Sequence, residues 1–177
     1  MRSGGQLDEA SPLDVMSNER WAEVLKELSN ELGMMATLVD PQGNILIHVG
    51  DYIDVCVRLR KRPESLSFVC GQTSQVLMKQ AQSTGEPVVE LCQIGLCKLV
   101  IPIFQEGRFR GAVAACSRAL AGEELDPFMV AQELGISEQE ARELLERTPE
   151  ISKDTLQGVA QRWFRRIQQA AGSDFGV

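Results

Sequence analysis

The chemistry that this 177-residue chain offers is concentrated in its five cysteines. Four of them occupy the central part of the chain, separated by 13, 21 and 4 residues: Cys56, Cys70, Cys92 and Cys97. Four thiolates are the usual ligand set of an iron–sulfur cluster or a structural zinc ion, and such sites accept ligands from distant segments. No two of these cysteines have the Cys-x-x-Cys spacing that is typical of zinc sites. The number of cysteines is compatible with a metal or ligand site, whereas their spacing is not typical of any particular metal site.

The alternative is that each cysteine is a small buried apolar residue, because free cysteine is among the most buried residue types. Strand alternation places Cys97 on the inward face and Cys92 on the opposite one. A site that uses both cysteines requires the turn at Ile94 and Gly95 to reorient one of them. We interpret the fifth cysteine, Cys116, as a small residue in an Ala-rich strand that excludes bulk, with a cavity-lining thiol as the alternative.

His48 is the only histidine of the chain, and so the only imidazole available for acid–base catalysis. We interpret it as a surface residue of a hairpin, with an accessory role in a pocket as the alternative. A cysteine-dependent thiol or redox enzyme needs an activated thiolate. Neither a Cys-x-x-Cys pair nor a convergent acid–base pair is visible in the sequence. We therefore predict that the chain is not an enzyme and keep thiol chemistry as an alternative.

The composition is that of one globular domain in the cytoplasm. Hydrophobic residues make up 44% and charged residues 24% of the chain, and its length suits a single core. The formal net charge of -7 argues against direct binding of nucleic acid. We expect no membrane association, because the chain lacks both an apolar run that could span a bilayer and a signal peptide. We divide it into a flexible leader (1–12), one domain (13–171) and a short tail (172–177).

Hydrophobic periodicity predicts an α+β fold. An amphipathic helix begins after Ser17, and a hairpin turns near Gly43. Two further helices carry Cys56 and Cys70, three strands follow, and the last third consists of helices, the final one capped by Ser152. The inner face of the Cys70 helix is expected to comprise Leu66, Val69, Cys70, Thr73, Val76, Leu77 and Ala81. This succession indicates a PAS-like antiparallel sheet of about five strands flanked by helices.

The middle of the chain resembles the PocR sensory family, a PAS-like ligand-binding domain of bacterial and archaeal transcription regulators and signalling proteins. The likeness rests on a Cys-x-x-Gly-Leu stretch, an apolar strand with Pro-Ile, a Gly turn and a Gly-containing return strand. The matching positions are Cys92, Gly95, Leu96, Pro102, Ile103, Gly107 and Gly111. Upstream, Cys56 and Cys70 resemble two family cysteines, and Asp40 with Gly43 resembles its Asp-x-x-Gly hairpin. The resemblance covers 38–151.

Two departures from the family pattern add sulfur to this chain. Cys97 stands where the family commonly has an acidic residue, and Cys116 with Ser117 stands where it often has Gly-Gln. A sulfur-lined site that holds a metal cluster is therefore as compatible with these residues as a small-molecule pocket.

The resemblance implies a stand-alone sensory domain. We expect it to bind a small molecule, or a zinc ion or iron–sulfur cluster, at four of its cysteines: Cys56, Cys70, Cys92 and Cys97. No DNA-binding, kinase or cyclase segment follows the last helix, so the output is expected to belong to an unidentified partner protein. Apolar stripes on the first and last helices also suit a homodimer, with packing inside the chain as the alternative. A ligand-free structural adaptor is the remaining alternative.

Overall fold

The structure is a computed structural model, which describes residues 10–172. Most of the predicted leader and tail, residues 1–9 and 173–177, lies outside the described residues. Ser11 caps a short 3-10 helix, Pro12–Asp14, and Trp21 donates its indole N–H to the carbonyl oxygen of Pro12 at 2.8 Å. The start of the domain is thereby anchored on the first long helix.

The helices follow the caps and the apolar periodicity of the sequence. They are α1 (Asn18–Leu32), α2 (Asp54–Arg60), α3 (Pro63–Leu66), α4 (Gln72–Thr84), α5 (Pro127–Leu134), α6 (Glu138–Glu146) and α7 (Lys153–Ala170). The Ser17 and Ser152 hydroxyls cap α1 and α7, as predicted, by accepting a backbone N–H bond. Within residues 10–172, no helix combines the length and the hydropathy that crossing a membrane requires.

The strands form one mostly antiparallel sheet. They are β1 (Met35–Val39), β2 (Ile45–Val49), β3 (Val88–Leu91), β4 (Leu96–Gln105), β5 (Arg108–Leu120) and β6 (Glu150–Ile151). The order across the sheet is β2-β1-β5-β4-β3, and β6 pairs in parallel with the end of β5. The predicted α+β fold with about five antiparallel strands is confirmed. The sixth strand was not predicted, because two residues are too few to show a period.

One face of the sheet, which we call the back face, packs against α1 and α7. Its core includes Trp21 and Leu25 of α1, Trp163 of α7, and Leu99 and Ile101 of β4. These five side chains are almost completely buried. The helical spacing that predicted α1 and α7 therefore identified the faces that cover the sheet.

The other face, which we call the front face, is covered by α2, α3 and α4, with α5 and α6 at one end. Leu77 and Ala81 of α4 pack against Ala112 and Ala114 of β5. The small side chains on the strand allow the helix to approach closely. A second apolar cluster joins α2, α5 and α6 to the sheet around Leu96.

A π-helical segment, Ser67–Gly71, lies between α3 and α4. The helix predicted here is therefore not regular. It contains a wide turn, in which each backbone N–H donates to the carbonyl oxygen five residues earlier. The wide turn changes the phase of the positions that follow it. Val76, predicted for the inner face, is 62% exposed, whereas Leu77 is buried.

Candidate functional site

Four cysteine thiols gather on the front face. Cys56 lies on α2, Cys70 in the π-helical segment and Cys92 in the turn after β3, and all three pack against one apolar cluster. Cys116 of β5 packs partly against the back-face core, but strand alternation places it on the face of Ala114, within electrostatic reach of Cys56, Cys70 and Cys92. We call these four cysteines the cysteine pocket. Each of them is partly exposed although β5 is a central strand, so solvent reaches the middle of the sheet there.

Cys97 is not part of the cysteine pocket. Its side chain is completely buried on the back face, in the cluster that lies under α1 and α7. Strand alternation sends it to the side of the sheet opposite to Cys92, and the turn between them reorients neither residue. The structure therefore brings together Cys56, Cys70 and Cys92 of the predicted four-cysteine set and separates Cys97 from them.

A β-bulge directs Ser117 toward the pocket. The register between β4 and β5 shifts between Cys97 and Lys98, and Ser117 has a φ of 103°, which L side chains rarely adopt. The Ser117 hydroxyl lies 3.8 Å from the Sγ of Cys116 and within hydrogen-bonding reach of the Cys56 sulfur. Backbone strain of this kind is typical of functional sites.

The turn that carries Cys92 is shaped around its sulfur. The Cys92 backbone N–H donates to the carbonyl oxygen of Leu96 at 2.8 Å, and Gly95 turns the chain with a φ of 91°. Burial raises the pKa of Cys92, while hydrogen bonds from the backbone of Ile94 and Leu96 to its sulfur oppose that rise. Cys92 is thus a pocket thiol whose anionic form is supported by the protein backbone.

Burial keeps the thiols of Cys56 and Cys70 protonated. It raises the pKa of Cys56 well above its usual range, and the other pocket cysteines add to the rise because one thiolate repels the next. Burial also raises the pKa of Cys70 to about 11, although the positive charge of Lys98 opposes this rise. At neutral pH these thiols are uncharged and weakly nucleophilic, which argues against the thiol enzyme alternative.

Lys98 borders the pocket from β4. It pairs across the strands with Cys116, and its ammonium contacts the Ser74 hydroxyl of α4. That hydroxyl donates a hydrogen bond to the carbonyl oxygen of Cys70 at 2.7 Å. Sequence reasoning missed Lys98, because a lysine in a strand is ordinarily interpreted as a surface residue.

Two aromatic side chains and an arginine border the pocket on its other side. The Tyr52 hydroxyl lies 3.3 Å from His48 Nδ1, their rings stack at 4.8 Å, and the Arg60 guanidinium lies 4.4 Å above the Tyr52 ring. Burial raises the pKa of Tyr52, Arg60 opposes the rise, and Cys116 adds to it. The Tyr52 hydroxyl is therefore within electrostatic reach of the pocket. His48 is exposed, in agreement with its interpretation as a surface residue.

The pocket thiols lie near one another but do not surround one point. Among residues 10–172, no group of three or more His, Cys, Asp or Glu side chains is placed to hold a metal ion. The pocket thiols influence one another's pKa, but they do not converge on a common ligand position. Because burial raises the pKa values of Cys56, Cys70 and Cys92, each of these thiols would have to release a proton before binding a cation.

The pocket thiols are expected to make the domain less stable in alkaline solution. The usual thiol pKa of 9.0 applies to the unfolded chain, whereas the folded protein holds Cys70 at a pKa of about 11. Between these two values the unfolded chain releases a proton that the folded chain retains, so rising pH favours unfolding. Urea denaturation in reductant should show a smaller decline in the free energy of unfolding for Cys70→Ala than for wild type. Equal declines would contradict the raised pKa.

A second concave region lies beside α5 and α6. It is a cleft of about 770 Å³ whose acidic lining comprises Glu123, Glu124, Asp126, Glu138, Glu146 and Glu150. Arg142, which also lines it, forms an ion pair with Glu138 at 2.6 Å. Such a lining repels phosphate groups.

The chain was matched to known proteins at three levels. No curated protein sequence matches it. A crystal structure described as an ICLR transcriptional regulator from Silicibacter sp. TM1040 has 16% sequence identity, with 81% of this chain and 71% of that chain covered and a TM-score of 0.36. The family profile described as the sensory domain found in PocR matches residues 14–172, which include all five cysteines. The chain therefore belongs to the PocR sensory domain family.

Proposed function

We propose that the chain is a signal-sensing domain of the cytoplasm that binds a small molecule in the cysteine pocket. The observation that carries this proposal is the proximity of four partly exposed cysteines, from four separate elements, on one face of the sheet. An occupant would contact α2, the π-helical segment, the β3–β4 turn and β5 at once. Membership of a sensory domain family supports binding rather than catalysis.

Two local distortions next to the pocket support the same assignment. The π-helical segment that carries Cys70 is a rare conformation, and such segments occur frequently at functional sites. The strained residue Ser117 adjoins Cys116. Both distortions cost free energy, which is compatible with selection for a binding site at this place.

The pocket helices are connected to the C-terminal helices by polar contacts. Arg58 of α2 forms an ion pair with Glu140 of α6 at 2.9 Å, and the Ser65 hydroxyl of α3 donates to the carbonyl oxygen of Glu133 in α5 at 2.8 Å. A ligand that shifts α2 or α3 would therefore also shift α5 and α6. We propose that this movement is recognised by a partner protein or by a second copy of the chain.

Thermal unfolding with a protein-free small-molecule fraction of a cell extract tests the proposal. A ligand that binds only the folded state raises Tm. We expect the fraction to raise the Tm of wild type but not that of Cys116→Leu, because the larger leucine side chain fills the pocket. Cys97→Val, on the back face, is the matched control and should keep the shift. The proposal fails if the Tm of Cys116→Leu rises as much as that of wild type. It also fails if no fraction changes the Tm of wild type or of either variant.

A zinc ion or iron–sulfur cluster is a second candidate occupant. The backbone hydrogen bonds to the Cys92 sulfur favour it, because such bonds stabilise and tune metal-bound thiolates. The candidate ligands are Cys56, Cys70 and Cys92, with Cys116 in the place predicted for Cys97, and their side chains would have to rotate to bind one centre. Protein purified without oxygen should then contain stoichiometric zinc, or iron with sulfide, and Cys92→Ala should lose it. Elemental analysis that finds none of these would exclude this occupant.

A further inference from the structure

Lys98 places a positive charge on the floor of the cysteine pocket. Its neighbours across the strands are Cys116 on β5 and Glu90 on β3. The residue is only partly exposed, because α4 passes over it and the Ser74 hydroxyl contacts its ammonium. The charge is therefore held at one position instead of moving freely in solvent.

The Lys98 ammonium forms no ion pair with a described residue, although Glu90 lies directly across the strands from it. Among residues 10–172, no carboxylate oxygen lies within 4.0 Å of it, and Glu90 is exposed. The partly exposed Arg110 of the same sheet differs in this respect, since it approaches the Asp14 carboxylate at 3.7 Å. A partly buried charge without a partner is costly, so its presence calls for an anion.

The remaining groups of the pocket do not provide that anion. The thiols of Cys56 and Cys70 are protonated at neutral pH, and the nearby Arg60 adds a second positive charge within electrostatic reach of Cys70. The potential inside the pocket is therefore positive, although the net charge of the chain is -7. An anion would be attracted to this site and repelled by most of the remaining surface.

We propose that the pocket binds a small organic acid, whose carboxylate pairs with the Lys98 ammonium. Its short apolar body lies against Cys56 and Cys116, whose sulfur atoms behave as polarisable apolar groups. This inference rests on the proposed function and specifies its ligand class. A monocarboxylate matches the single ammonium at this end of the pocket. One ammonium hydrogen is donated to the Ser74 hydroxyl, and the other two are donors for the oxygens of the acid.

Matched acids and amides test the ligand class. Propionate and butyrate are compared with propionamide and butyramide by calorimetry, at an ionic strength held constant with sodium chloride. Each pair differs in charge and hardly in shape. Because hydrogen bonds between charged groups are stronger than those to neutral ones, the acid should bind about tenfold more tightly than its amide, or better.

Two variants locate the interaction. Lys98→Met keeps the length of the side chain and removes the charge, so the Kd for butyrate should rise about tenfold or more while any amide binding stays unchanged. Lys79→Met removes an exposed charge from α4 and is the matched control, with no change expected. Circular dichroism and urea denaturation establish that both variants remain folded, and Lys98→Gln serves as the second variant if Lys98→Met does not fold.

Several results would overturn the ligand class. The ligand class is wrong if the amides bind as tightly as the acids or if no acid binds. It is also wrong if chloride competes at equal concentration, or if acid binding persists without Lys98. Suppose that the extract fraction raises the Tm of wild type and not that of Cys116→Leu, while no acid binds. In that case the sensing function stands and only the ligand class is wrong. If the extract fraction also fails, both proposals are wrong.

Discussion

Gly111→Ala is expected to destabilise the domain by about 3 kcal/mol or more, because it combines backbone strain with overpacking. Gly111 has a φ of 126°, and an added Cβ would lie 2.2 Å from the carbonyl oxygen of Val39. The neighbouring strand β1 would have to move away from β5. The two strands remain paired from the Val39–Ala112 pair to the Met35–Cys116 pair. Their separation would therefore also displace Cys116 of the cysteine pocket.

The matched control is another glycine to alanine change, Gly158→Ala in α7. A Cβ at Gly158 meets nothing within 4 Å, so this variant should be more stable by about 0.5–1 kcal/mol, the usual helix preference for alanine. Urea denaturation gives both free energies. Point substitutions lower the free energy of unfolding by about 1 kcal/mol on average. If Gly111→Ala lowers it by no more than this, β1 and β5 do not approach each other as closely as described.

Trp163→Ala should cost about 3–5 kcal/mol, the range for removing a buried aromatic side chain. Trp163 is 2% exposed in the core under α7, and its indole N–H donates to the Glu31 carboxylate of α1 at 2.6 Å. Arg166 adds a stacking contact, with its guanidinium 4.1 Å from the indole ring. The substitution therefore removes the buried ring and one of the polar contacts between the first and last helices, while the ion pairs of Arg162 with Glu31 and Arg166 with Glu27 remain.

Trp163→Phe separates these two contributions. It keeps most of the apolar area and loses the hydrogen bond to Glu31, so it should cost only about 1–2 kcal/mol. Guanidinium denaturation followed by far-ultraviolet circular dichroism measures both variants. Equal losses for the alanine and phenylalanine variants would mean that the hydrogen bond, and not the buried ring, holds α7 in place.

The parts of the fold that could be predicted are those with local signals. The Ser17 cap and the helical spacing of Trp21 and Leu25 predicted α1, and Gly33 ends it with a φ of 61°. The π-helical segment and β6 could not be predicted, because neither has a local pattern. Val76 illustrates the consequence, since helical spacing places it inside and the wide turn before it leaves it exposed.

The candidate site could be predicted in part. The family resemblance pointed to Cys56, Cys70 and Cys92, which the structure brings together. Cys97, which was grouped with them, lies on the opposite face of the sheet, as strand alternation had indicated. The same alternation carried the signal for Cys116, since residues two and four positions before it, Ala114 and Ala112, share its face of the sheet.

The most direct test of the central claim, that the signal molecule occupies the cysteine pocket, is the labelling rate of each cysteine with and without the small-molecule fraction. The rates are read by peptide mass spectrometry after exposure to methyl methanethiosulfonate. Binding should slow the labelling of the four pocket cysteines together and leave the buried Cys97 unchanged. Unchanged rates at the pocket while the fraction raises Tm would place the ligand elsewhere and contradict the proposed site.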